Sequence, residues 1–219
     1  MTRGQNVKKE VIRMEVTQVR KKPYFTTYRI VFIAVMAAVI YVLTLFRFPL
    51  GGSKVHFANA ACLLAGFLFG PVSGGLAAGL GSGLYDLLNG YGIDEALITT
   101  VSKFLMAFIC AVIAGTYKNQ DLTVSSTGFL GIYRELLRNA PRIVAGGVAG
   151  ALSYVALYML KHLAYQTLIY GNSLNAALAV MAGKLPASLI NAVFAMIAAP
   201  VIYALILPPL KRTGSLTKL

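Results

Sequence analysis

Ionisable and amide side chains recur at helical spacing inside stretches that are otherwise apolar. Glu95, Thr99, Ser102 and Lys103 follow i, i+4, i+7 and i+8, while Lys184, Ser188 and Asn191 follow i, i+4 and i+7. Tyr154, Tyr158, Lys161, His162 and Tyr165 form a third stripe, and Ser82, Asp86 and Asn89 a fourth. Such spacing places each set on one face of a helix. The sets offer ammonium and amide donors, carboxylates and phenol rings, which together suit the holding of a small polar molecule. Bond-breaking chemistry has no comparable support. The two histidines, His56 and His162, lie in different segments, no serine sits in a GxSxG elbow, and no GxxxxGK[ST] phosphate loop exists. We expect no enzyme, no metal site and no cofactor in this chain.

The elements that must position these residues are membrane helices. Of 219 residues 58% are hydrophobic and only 12% are charged, too few charges to cover a soluble domain of this length. The formal charge of +13 gathers at the flanks of apolar blocks: Arg3 to Lys22, Arg134 to Arg142, and Lys211, Arg212 and Lys218. That distribution fits membrane topology better than nucleic-acid binding. About 25 polar residues precede the first apolar stretch and no small-residue cleavage site follows it, so no secretory signal peptide is expected. Cys62 and Cys110 lie inside apolar runs without CxxC partners and read as small packing residues.

A span needs roughly 20 apolar residues. The expected fold is all-α, a compact bundle of six transmembrane helices. The first runs over Tyr28–Phe46. The uncharged block Val55–Leu88 is too long for one helix, and Gly70-Pro71 divides it into Val55–Phe69 and Pro71–Leu88. Both pieces are short, so a re-entrant hairpin is the alternative. The remaining spans are Glu95–Tyr117, Ile143–Leu160 and Leu185–Leu207, with an amphipathic connector at about 118–142 whose arginines face lipid headgroups. The expected organisation is a basic cytoplasmic segment (1–25), a membrane domain (26–210) and a basic cytoplasmic tail (211–219). Six spans put both termini and all three basic clusters on one side, the cytoplasm.

Helices in lipid associate through close contact of small residues. Gly75, Gly79 and Gly83 provide such a ridge for internal packing, and Ala34 and Ala38 provide a small-residue pair on the first helix, suited to packing or to a partner. Lys103 and Asn191 each lie about eight residues in from the outer end of their span, roughly 12 Å at 1.5 Å per residue. The polar stripes stay in the outer halves, whereas a channel would be lined throughout. The pattern describes a cup that opens outward. Lys103 has a structural alternative, pairing with Asp86 or Glu95, and His56 has one as a packing histidine. Asn191 needs partners on both faces of its amide.

The block HFANAACLLAGFLFGPVSGGLAAGLGSGLYDLL, with Ala34-x-x-x-Ala38 and the basic N-terminus, resembles the substrate-binding S-components of energy-coupling factor (ECF) vitamin transporters. The similarity spans roughly Tyr28 to Pro209 and is nearest the riboflavin-, pyrimidine- and pyridoxine-type branch. The resemblance implies a bacterial cell-membrane protein that captures a small vitamin or precursor from outside. It also implies a transmembrane coupling subunit, contacted through Ala34 and Ala38, and two cytoplasmic ATPases that use the ATP. A loop after the first helix, Phe46 to Lys54, would close over the ligand. The candidate substrate-binding residues are Phe46, Phe48, His56, Asn59, Asp86, Thr99, Lys103, Tyr154, Tyr158, Lys184 and Asn191, with the phenylalanines and tyrosines placed to stack a modest ring. Two other readings remain open: an ion-coupled secondary transporter using Asp86, Glu95 or His162, and a non-transporting membrane scaffold. A reporter cysteine in Asp86→Cys should react with an impermeant maleimide applied to intact cells; labelling confined to inverted vesicles would overturn the orientation.

Overall fold

The computed structural model describes residues 24–50, 53–119 and 129–213. The basic runs at 1–23 and 214–219 and most of the polar stretch after Lys118 lie outside them. Five helical segments are long and apolar enough to cross a membrane. They are α1 (Thr27–Leu45), α2 (Ala58–Leu88), α3 (Ile93–Ala114), α4 (Phe129–Ala164) and α5 (Leu174–Arg212). Between α1 and α2 the chain forms an antiparallel hairpin of β1 (Arg47–Leu50) and β2 (Ser53–His56), in which Arg47 faces His56 and Phe48 faces Val55.

The segment α2 is not one rod. At Gly70 the backbone leaves helical space, with φ 78° and ψ −174°. The positive φ needs glycine, and the extended ψ is what a following proline imposes. The chain reverses there. Cys62 Sγ and Ser82 Oγ, twenty residues apart in sequence, lie 3.9 Å from each other. The first arm, residues 58–69, rises only about 18 Å, less than the hydrocarbon thickness. The expected division at Gly70-Pro71 is present, but as a folded hairpin of helix inside a single segment.

The arms touch backbone to backbone. A Cβ added at Gly74 would meet Ala65 O at 2.5 Å and Gly66 Cα at 2.8 Å. Gly75, Gly79 and Gly83 face α3, where added carbons would strike Phe104 and Thr100. A second small pair, Gly146 and Gly150 on α4, seats against the carbonyls of Cys110 and Met106. The sequence reading did not single out that pair. Between these contacts sits the apolar core, with Ile40, Leu63, Phe67 and Met106 fully buried. Both cysteines are free and buried in it.

Three span boundaries need correction. The helix expected to begin at Val55 begins at Ala58, because Ser53–His56 pairs as a strand, so the fold is not purely helical. The helix expected to begin at Ile143 begins at Phe129 and continues to Ala164, and the one expected at Leu185 begins at Leu174. Hydropathy marks only the part of a helix suited to hydrocarbon, whereas backbone hydrogen bonding continues into its polar ends. The outer segment between them is mostly ordered helix: a π-helical turn (Tyr165–Ile169) follows α4, and Ser173 caps α5 by accepting from the Ala176 N–H. At the other end of the bundle Lys211 pairs with Glu135 at 3.2 Å, tying the end of α5 to the first turns of α4.

Gly74→Ala should destabilise by about 1–3 kcal/mol through overpacking, seen as a lower apparent Tm in detergent. Gly147→Ala gains the same helix propensity, but its nearest new contact is at 3.6 Å, so its Tm should not fall. Equal behaviour of the two variants would remove the close approach of the arms as a source of stability.

Candidate binding cavity

The hairpin and all five helical segments converge on a cavity of about 330 Å³, within the size range of small-molecule pockets. Its innermost charged group is Lys103 on α3, only 3% exposed. The Lys103 ammonium donates to Asn59 Oδ1 and lies 3.5 Å from the centroid of the Tyr154 ring. The pairing with Asp86 or Glu95 that the sequence allowed is absent. Glu95 instead accepts from Lys161 at 2.5 Å. Among the described residues, no carboxylate lies within salt-bridge distance of Lys103.

One wall comes from α4. Tyr154 and Tyr158 follow one another with ring centroids 6.1 Å apart, and His162 meets the edge of Tyr158 at 4.4 Å. The spacing of four that suggested a stripe places all three on the cavity side. Opposite them stand Ser82, Tyr85 and Asp86 of the second arm of α2, then Glu95 and Thr99 of α3. Lys184, Ser188 and Asn191 bring α5 to the rim.

The β1–β2 hairpin forms the cover, and side chains on three elements hold it. The amide of Asn191 works in both directions: Oδ1 accepts from the His56 backbone N–H at 2.9 Å, and Nδ2 donates to the Lys54 carbonyl at 2.8 Å. A side chain on α5 thereby bonds β2 as a neighbouring strand would. Ser53 Oγ lies 3.1 Å from Tyr158 OH. Arg47 and Lys54 both donate to Tyr91 OH, in the turn between α2 and α3. Burial would raise the Tyr91 phenol, yet these two cations together hold it below its usual range. His56, enclosed under the cover, is pushed down to about 3 by burial first, then by Lys103 and Arg47, and is therefore neutral. Buried atoms His56 Nδ1, Tyr85 OH and His162 Nε2 have no hydrogen-bond partner in the protein, and all three residues line the cavity.

Eight of the residues selected from sequence therefore stand around one space: His56, Asp86, Thr99, Lys103, Tyr154, Tyr158, Lys184 and Asn191. Asn59 does not; it lies behind the wall at 1% exposure and holds Lys103 from there. Phe46 and Phe48 do not either. Strand alternation turns Arg47 inward and leaves these neighbours 60% and 61% exposed, away from any stacking role inside the cavity. Thr44, Arg47, Ser53, Lys54, Tyr85 and Tyr91 line the cavity without having been selected. Gly51-Gly52 between two short runs was a hairpin signal that could have found three of them, Arg47, Ser53 and Lys54. Tyr85, three residues after Ser82, lay on the stripe of Ser82, Asp86 and Asn89, whereas Tyr91 carried no periodic signal. No group of three metal-ligating side chains occurs among the described residues.

The arrangement can hold and enclose a small ring-bearing molecule between tyrosines and cations. In Asn191→Leu both bonds to β2 are lost, at about 1–3 kcal/mol, so deuterium exchange at the His56 amide should accelerate by roughly tenfold or more. Unchanged exchange would show that the cover is held by its other contacts.

The family model for the ECF-type riboflavin transporter, S component, matches residues 24–207. The fold resembles a solved chain described as "Structure and mechanism of the S component of a bacterial ECF transporter", with a TM-score of 0.54 and 21% identity. That likeness covers 84% of this chain and 97% of the other, and at this identity it speaks for the fold. No curated protein matches the sequence.

Proposed function

The chain belongs to the family of ECF-type riboflavin transporter S components, and from that premise we propose that it captures a small vitamin or heterocyclic precursor at the outer face of a bacterial membrane. Members of this family are transport components with membrane-spanning helices, a class distinct from enzymes. The observation that carries the reading is the polar cavity under the hairpin. It combines stacked tyrosines, buried polar atoms without protein partners and a cover tied down by Asn191.

Capture and release require the cover to move while the floor stays fixed. The division of contacts fits that requirement. The floor residues Asn59 and Lys103 sit on tightly packed helix, while among the described residues the hairpin's hydrogen bonds to the rest of the bundle run through the side chains of Asn191, Tyr158 and Tyr91. A ligand touching both floor and cover would favour the closed state by its differential affinity for it.

Counting the two arms of α2 separately gives six apolar segments, with both termini and the Arg134–Arg142 cluster on the cytoplasmic side. The domain organisation is then a membrane domain flanked by basic cytoplasmic ends. The polar cavity opens at the opposite, outer end. Ala34 and Ala38 are exposed on α1, in a face continued by Val31, Val35, Val39 and Val42. That face is the proposed seat of a coupling subunit, with two ATPases beneath it supplying the energy from ATP. The family model is named for riboflavin, so riboflavin and its 5′-phosphate belong among the compounds to test.

Purified protein, denatured and analysed by mass spectrometry, should release a heterocyclic vitamin or precursor in near-stoichiometric amount. Protein that is empty, and that binds neither riboflavin nor any member of a vitamin panel in titration, would overturn the proposal.

A further inference from the structure

We infer that the molecule held in this cavity carries an anionic group, a carboxylate or a phosphate, seated against Lys103. The inference rests on the reading of the cavity as a binding site for a small heterocycle and specifies the chemistry of what enters.

The first ground is the charge balance of the wall. Arg47, Lys54, Lys103, Lys161 and Lys184 line the cavity, against only Asp86 and Glu95 as acids. Five positive groups and two negative ones leave an excess of three. Glu95 is already engaged by Lys161 at 2.5 Å. Low-dielectric walls concentrate such an excess on the space they enclose.

The second ground is the placement of Lys103. Its side chain is withdrawn from solvent, and its two contacts, the Asn59 carbonyl oxygen and the Tyr154 ring face, carry no net charge. Buried ammonium groups are ordinarily matched by a carboxylate or by a ligand. Asp86 acts on Lys103 from beyond salt-bridge distance, so the protein orients the ammonium with dipoles and closes no direct ion pair on it. An anion entering from the cavity side completes the set, whereas a neutral molecule leaves the excess charge in place and a cationic one adds to it.

The third ground separates the anion's place from the ring's place. Tyr154 and Tyr158 offer ring faces along α4. His56 Nδ1, Tyr85 OH and His162 Nε2, buried and without partners, are neutral or hydroxyl groups suited to ring heteroatoms or hydroxyls. The structure thus divides into an anion seat at the floor and a polar, aromatic surround above it. An uncharged flavin would use the second and leave the first unmatched.

The test uses the full-length protein in detergent, dialysed against an equimolar mixture of matched pairs. These are nicotinamide with nicotinate, riboflavin with riboflavin 5′-phosphate, and pyridoxine with pyridoxine 5′-phosphate. Compounds retained from the cell and from the mixture are identified together by mass spectrometry. Retention of a compound that is anionic at neutral pH supports the inference. Lys103→Met, monodisperse on gel filtration, should then bind it roughly a hundredfold more weakly and lose its preference over the uncharged partner. A retained compound that is neutral or cationic overturns the anion seat while leaving the binding function standing. An anion held equally well by Lys103→Met overturns it too. Retention of nothing from either source overturns both readings together.

Discussion

Ala65 and Gly74 meet backbone to backbone, because the chain reverses at Gly70 and Gly74 has no side chain to hold the arms apart. The cavity floor stands on this contact. It sets the first arm of α2 deep in the bundle, where Asn59 reaches Lys103 and Cys62 meets Ser82. In lipid no water rescues a misplaced amide or ammonium, so polar groups at this depth must find partners inside the protein. A bulkier turn would separate Asn59 from Lys103. The glycines that look like softness in a membrane helix act as spacing.

The same requirement explains the cover. A β-hairpin has unpaired backbone edges, and edges of this kind are poorly tolerated near hydrocarbon. Asn191 satisfies two of the backbone groups of β2 from a neighbouring helix. Its amide carries a donor and an acceptor side by side, which neither a carboxylate nor a hydroxyl offers in the same geometry. The residue that looked from spacing like a ligand contact joins the hairpin to α5. Binding and closure can then be coupled through one short side chain.

Charge is distributed unevenly between floor and rim. Toward the rim Lys161 has Glu95, and at the opposite end of the bundle Lys211 has Glu135. At the floor the direct contacts of Lys103 among the described residues are the neutral Asn59 and Tyr154, with Asp86 acting from farther off. The imbalance is a property of the three-dimensional arrangement, since Asp86 and Glu95 both lie close enough in sequence to have served as partners.

Several features were legible from the amino acids alone. Apolar blocks, basic flanks and the Gly70-Pro71 break follow from local chemistry: hydrocarbon solvation, headgroup charge and the backbone limits of glycine and proline. Helical periodicity likewise put Tyr154 with Tyr158, and Thr99 with Lys103, on common faces. The tertiary structure decided what periodicity cannot express. Which helix faces which is set by backbone-close glycine contacts between distant segments, so Lys103 found Asn59 rather than a carboxylate. Strand alternation in a four-residue β1 turned Arg47 inward and Phe46 and Phe48 outward. The helices ran past their hydropathic limits because backbone hydrogen bonding continues where apolar side chains stop. Residue types set the chemistry available to this chain, and long-range packing chose which of those groups would meet.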